Sequence, residues 1–260
     1  MTGEAGLHLV PDYRAESTVA TVTGTLTSAN WAELRDGVLR VATEAPVSVI
    51  ADIRGLDIAD TTLMTVFTAI AARIDAWPGI PFSVVTDHPD HVARLAKQAA
   101  DRFVPIHADV PAAERARARP PRRRALQLLV ASPQASAVAR AFVGRVCEQW
   151  KVPEHVDDAC LVATELVENT IRHTTSHPRL RLELRRDTFV ISVADDDPHE
   201  AVLLERPGEH GLGLLLVAQS TRAWGCSRSW AGGKVVWAVL VPRRRPRYRN
   251  AASGTDGAER

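Results

Sequence analysis

The sequence predicts two successive domains, an α/β unit followed by an α+β sandwich. Three observations carry this. From about residue 7 to residue 110, short β-rich segments alternate with helical ones, the order of a layered α/β fold. A stretch rich in arginine and proline, with no apolar periodicity, then interrupts the pattern. Beyond it two long helical patterns precede a pair of alternating strands, another helix and a closing hairpin. The expected boundaries are 7–110 for the first domain, 111–124 for an Arg/Pro-rich linker, 125–241 for the second domain and 242–260 for a disordered basic tail.

In the first domain Val19–Thr23 reads as a strand ending at Gly24, and Ser28 as the cap of a helix carrying Trp31, Leu34, Val38 and Val41. Val47–Asp52 is a short buried strand. Asp60 or Thr61 starts the next helix, with Leu63, Val66, Phe67 and Ile70 facing inward. Pro78-Gly79 turns the chain into the strand Phe82–Thr86, and a helix over Pro89–Ala99 follows.

In the second domain Leu126–Ala131 reads as a strand and Pro133 or Gln134 opens a helix through Phe142, Val146 and Trp150. After Pro153 comes the helix around which the domain is organised. Val156, Ala159, Ala163, Leu166, Val167 and Thr170 recur at three- and four-residue steps and share one face. Glu165 and Asn169 stand one turn apart beside that stripe, and Arg172 and His173 extend the polar edge. A carboxamide oxygen is a hard ligand suited to Mg²⁺, and a carboxylate can take a proton or orient a hydroxyl. A solvated helix edge carries such pairs as well. Leu180–Leu184 and Phe189–Val193 form strands about a turn at Arg186-Asp187, and a polar loop runs from Asp195 to His210. Residues 211–221 are helical, and Trp224–Trp230 pairs with Val235–Val241 around Ala231–Lys234.

Composition narrows the function classes. The 260 residues suffice for two cores, and a net charge of +1 gives no global attraction to nucleic acid or membrane. Cys147, Cys160 and Cys226 lack metal-ligand spacing and fit core positions in a reducing compartment. No apolar run reaches membrane-spanning length and Met1–Leu7 is polar, so a cytoplasmic protein is expected.

Two resemblances follow from these motifs. Val49-Ile-Ala-Asp52 followed by Asp60-Thr61-Thr62-Leu63 resembles the STAS domain of anti-sigma factor antagonists, with Leu63 where that family has glycine. The resemblance implies that Thr61, directly after Asp60, is a phosphoacceptor. In the second half, Glu165-Leu-Val-Glu-Asn169-Thr-Ile-Arg172-His173, Val193-Ala-Asp195, Gly211-Leu-Gly213-Leu214, Trp224-Gly225 and Gly232-Gly233-Lys234 occur in order. This looks like the GHKL-type ATP-binding domain of anti-sigma regulatory serine/threonine kinases, an antiparallel or mixed sheet with helices on one face.

That likeness implies ATP and Mg²⁺ as cofactors, Asn169 as the metal ligand and Glu165 as the catalytic base. It places Asp195 at the adenine amino group and Arg172, Gly211, Gly213 and Leu214 at the nucleotide, under a lid spanning Asp195–His210. The implied partners are a STAS-domain antagonist, a sigma factor or a second copy of the chain, with no direct nucleic-acid or membrane contact. The implied activity is phosphorylation of a STAS protein, and the alternative is a nucleotide-gated module that sequesters a sigma factor without catalysis. The segment after Asp195 departs from the family in reading Asp196-Asp197-Pro198 without glycine, and two of its three carboxylates must turn away from a triphosphate.

Overall fold

The structure, a computed structural model, describes residues 6–97, 104–116, 122–186, 188–199 and 212–240. The expected tail, Gly211 and most of the Asp195–His210 segment lie outside the described residues.

The N-terminal unit is a five-stranded sheet in the order β1 (His8–Tyr13), β2 (Thr18–Leu26), β3 (Val49–Ile58), β4 (Phe82–Val85), β5 (Ile106–His107). The first pair is antiparallel and the rest parallel, because helices α1 (Trp31–Thr43), α2 (Thr65–Ala76) and α3 (Pro89–Lys97) supply the crossovers. Ala20, Val22, Leu34, Val38, Ala51, Ile53, Phe67 and Ile70 form its main core. Ser28 does not cap α1. Asn30 precedes the helix, its carboxamide oxygen accepting from Thr27 N–H at 2.8 Å and its nitrogen donating to the Thr25 carbonyl at 2.9 Å.

The expected linker is largely structured. Helix α4 (Val110–Ala116) buries Val110 and Ala113 against Val19, Ile50 and Val85, so it belongs to the first domain. Arg122–Arg124 belong to strand β6 (Arg122–Leu128). Apolar periodicity placed the start of this strand at Leu126 and left Arg122–Arg124 to the linker, because these residues are held by ion pairs. Glu183, 3% exposed, takes Arg122 Nη2 at 2.5 Å, Arg124 Nε at 3.0 Å and Arg181 Nε at 3.3 Å.

The second sheet has the order β6, β7 (Arg179–Arg185), β8 (Thr188–Asp195), β10 (Lys234–Leu240), β9 (Ala223–Arg228). Every pairing is antiparallel, which decides between the antiparallel and mixed sheets expected. Helices α5 (Ala135–Trp150), α6 (Val156–His173) and α7 (Leu212–Ser220) share a core with Leu180, Leu182, Ile191, Val193, Val236 and Ala238 from one face of the sheet. The alternate residues Val190, Val235, Trp237 and Val239 point the other way.

That second face receives the N-terminal unit. Trp77 stacks on Trp237 with centroids 5.1 Å apart and planes 4° from parallel, and Arg73 lies 5.6 Å over the Trp237 ring. Arg124 Nη2 donates to the Ala45 carbonyl at 2.5 Å and Arg181 Nη1 to the Glu44 carbonyl at 3.4 Å. Those carbonyls close the C-terminal end of α1, the negative pole of its macrodipole, so a cationic sheet face is a matched partner. Arg185 reaches the Gly79 carbonyl and Ser229 the Glu44 carboxylate.

Two buried histidines give the fold an acid sensitivity. Burial, ahead of all neighbouring charges, lowers the pKa of both His155 and His91 below the ordinary histidine value. The unfolded chain therefore binds more protons below about pH 6.5, so this contribution is complete above that pH and lost as pH falls toward the folded values. Thermal midpoints should drop between about pH 7.5 and 5.5, and a flat profile contradicts the prediction.

Candidate active site on helix α6

Helix α6 buries Ala159, Val162, Ala163, Leu166, Val167 and Thr170, close to the predicted stripe. Asp157 and Asp158 occupy its first turn and Arg172 and His173 its last, matching the macrodipole at both ends. Burying that stripe leaves Glu165 and Asn169 half-buried on one edge. No described residue hydrogen-bonds either side chain. Burial raises the Glu165 pKa, Glu168 raises it further, and Arg172 works against both. A carboxylate shifted this way is a better proton acceptor.

Gly213, in the first turn of α7, sets the second wall. A Cβ built on it would lie 2.5 Å from Glu165 Oε2, so any larger residue would push the Glu165 carboxylate aside. Leu214 behaves differently from expectation. Its side chain is 9% exposed and packs in the core, leaving only its backbone for a ligand.

The floor comes from two paired strands. Asp195, the last residue of β8, stands directly opposite Lys234, the first of β10. Asp195 Oδ1 accepts from Lys234 Nζ at 3.0 Å and from Asp197 N–H at 3.0 Å, and Oδ2 from the Thr170 hydroxyl at 3.4 Å. The hairpin turn presses against this strand end. Gly233 has φ +72°, and a Cβ there would collide with the Asp195 carbonyl oxygen.

The structure thus brings Glu165, Asn169, Gly213 and Asp195 to one region between α6, α7 and the strand ends. Arg172, expected at the nucleotide, instead pairs with Glu168 at 3.8 Å beside the start of α5. His173 is exposed. Each of the three consecutive aspartates has a basic partner, and Asp195 and Asp197 share one. Asp195 has Lys234, Asp196 has Arg179 at 2.7 Å, and Asp197 has His199 at 2.6 Å and Lys234 at 3.4 Å. The His199 backbone N–H and ring, then Lys234, pull the Asp197 carboxyl down to about 2. Sequence reasoning missed Lys234 and Thr170 as members of this cluster. Strand alternation places Lys234 on the helix-facing side with Val236, Ala238 and Leu240, a signal that was available.

Residues 129–240 match the family model described as histidine kinase-like ATPase domain. Three solved structures are similar to parts of the chain. An anti-sigma factor antagonist from Mycobacterium paratuberculosis aligns at 13% identity over 41% of this chain and 89% of its own, with a TM-score of 0.37. The RsbU and RsbW domains of a Mycobacterium tuberculosis protein align at 18% over 50% of this chain, with a TM-score of 0.36, and the match spans 35% of that protein. The phosphorylated Bacillus cell fate determinant SpoIIAA aligns at 14% over 43% of this chain and all of its own, with a TM-score of 0.34. No curated protein matches.

The donor set on the α6 edge fits a magnesium ion. Asn169 offers one hard oxygen, and Mg²⁺ characteristically takes few protein ligands and fills its shell with phosphate and water. Among the described residues no group of three His, Cys, Asp or Glu side chains competes as a metal site. No described helix is long and apolar enough to cross a membrane.

Proposed function

We propose that the chain is a partner-switching regulator whose ATPase domain phosphorylates serine or threonine on a STAS-type domain. The observation that carries this is the placement of Glu165 and Asn169 on one helix edge, with the Gly213 backbone against the Glu165 carboxylate. The Asn169 carboxamide oxygen would hold Mg²⁺, which when bound neutralises charge on the nucleotide phosphates. Glu165 takes the proton of the acceptor hydroxyl. The acceptor oxygen bonds to the γ-phosphorus as the bridging bond to the β-phosphate breaks, and ADP leaves.

Thr61 is the acceptor this reading assigns in the chain itself. It is exposed and opens a 3₁₀ turn, Thr61–Met64, capped by Asp60, whose carboxylate accepts from Thr62 N–H at 2.8 Å. A phosphate on Thr61 adds roughly −1.5 to −2 charges beside Asp60 and repels a partner docked there. Thr61 belongs to the unit on one face of the second sheet and Glu165 to a helix on the other. That arrangement supports transfer between molecules.

The second reading is a nucleotide-gated module that sequesters a sigma factor without catalysis. Asp195 favours it, because this carboxylate is 0% exposed and a base reaches it only if its cover shifts. Incubation with ATP and an added STAS-domain protein separates the two. ADP and phosphoprotein in equal amounts support the kinase, and ATP binding with neither product supports the module.

Asn169→Ala tests the metal assignment. It should abolish magnesium-dependent ATP binding in a calorimetric titration while thermal unfolding stays that of the parent. Unchanged affinity removes Asn169 from the site.

A further inference from the structure

We propose that a cavity between the two units binds a small phosphate-bearing molecule with an apolar or aromatic body. The site lies apart from the α6 edge and does not depend on the function proposed above.

The cavity has a volume of about 620 Å³, within the roughly 300–1,000 Å³ typical of small-molecule sites, which favour domain interfaces. Ile80, Phe82 and Ser83, at the N-terminal end of β4, form one wall. Arg185 and Thr188 at the β7–β8 turn, with Arg222 just before β9, form the other. Sheets of parallel strands ordinarily take ligands beyond the C-terminal ends of their strands. In the first unit that end of β3 leads to Asp60 and Thr61. The cavity lies at the opposite end and is completed by the second unit, so a molecule bound there links the two.

Its charge selects the ligand. Among the described lining residues three arginines, Arg185, Arg186 and Arg222, stand against one carboxylate, Asp75. Arg185 is half-buried, and its Nη1 donates to the Gly79 carbonyl. Burial lowers its pKa most, and the nearby Arg122 and Arg222 charges lower it too, with Asp75 and Glu183 working against them. A guanidinium in that condition gains from an anion beside it. Arg186 and Arg222 are exposed, and among the described residues neither side chain has a hydrogen bond or ion pair. Arg186 also has φ +50°, in the left-handed region that costs a non-glycine residue energy. The chain accepts that strain where it sets a second guanidinium next to Arg185. Guanidinium groups take phosphate oxygens in pairs through parallel N–H bonds. The Ser83 and Thr188 hydroxyls add donors, and the buried Ile80 and Phe82 offer an apolar wall that a bare phosphate would not use.

Thermal unfolding of the full chain with phenyl phosphate, in magnesium-free buffer at fixed ionic strength, tests this. At about ten times its dissociation constant the probe should raise the midpoint by roughly 3–6 °C, and inorganic phosphate at the same concentration should raise it less. The rise should be lost in the double variant Arg186→Ala, Arg222→Ala and kept in Asn169→Ala. No rise in the parent overturns the proposal. A rise that survives in the double variant marks a general effect of anions and overturns it as well. A rise lost in Asn169→Ala puts the probe at the α6 edge, with the same consequence. An equal rise from inorganic phosphate overturns the proposed ligand class. If the double variant does not fold, as judged by circular dichroism, Arg222→Gln alone takes its place, with at least about half of the rise expected to go.

Discussion

Glu165→Gln is expected to bind ATP as the parent does and to lose phosphoryl transfer by roughly 10²–10⁴-fold. The carboxamide keeps the size and the contact with the Gly213 backbone but cannot take a proton. The raised pKa of Glu165, set first by burial, belongs to a group whose charged form is poorly solvated and which gains from accepting a proton. The same variant reports how the molecules collaborate. A Glu165→Gln chain keeps Thr61 but has no base, and a Thr61→Ala chain keeps the base but has no acceptor. Transfer between molecules predicts that mixing the two restores label on Thr61 of the Glu165→Gln chain. Label on the unmixed parent but none in the mixture would instead require the N-terminal unit to leave its dock and reach its own α6.

Trp237→Ala should have the largest effect on stability, about 3–5 kcal/mol. Trp237 is 2% exposed, stacks on Trp77, carries Arg73 over its ring and packs among Val190, Val235 and Val239. Its indole lies so close over Gly225 that a Cβ there would be 2.6 Å from Cζ2, and glycine has no side chain to fill the space the ring would leave. Its indole N–H also donates to the Ser227 hydroxyl at 3.1 Å. Removing the ring strips the dock between the two units of its aromatic centre and leaves the buried Trp77 Nε1, already without a hydrogen-bond partner among the described residues, facing a cavity. Denaturant unfolding should show the loss and a broader or divided transition. A change below about 1 kcal/mol would show that the arginine contacts to Ala45 and Glu44 hold the units together without it.

The organising helix was legible because its apolar spacing reports one buried face, and the same spacing leaves Glu165 and Asn169 on its edge. Asp60 as a cap was legible for a local reason, a carboxylate accepting from the N–H two residues on. What failed were features fixed by strand register and by charge. Arg122–Arg124 read as linker because sequence periodicity follows apolar residues, whereas this edge strand faces a carboxylate shared by three arginines. The Asp195–Lys234 pair lies 39 residues apart and exists only because β8 and β10 pair in one register. Trp77 and Trp237 could each be read as core residues of separate domains. That they meet depends on how the domains dock, which no local pattern encodes. Ser28 was expected at the cap of α1, but Asn30 holds that position, placed by its contacts to Thr25 and Thr27.

The most direct test of the account follows the γ-phosphate. The full chain is incubated with magnesium and γ-labelled ATP, alone and with a STAS-domain protein, and the label is mapped by peptide. The account predicts acid-stable phosphate on Thr61 or on a serine or threonine of the added protein, lost in Glu165→Gln and in Asn169→Ala. Acid-labile phosphate on histidine, or no label on either protein despite measurable ATP binding, would contradict it.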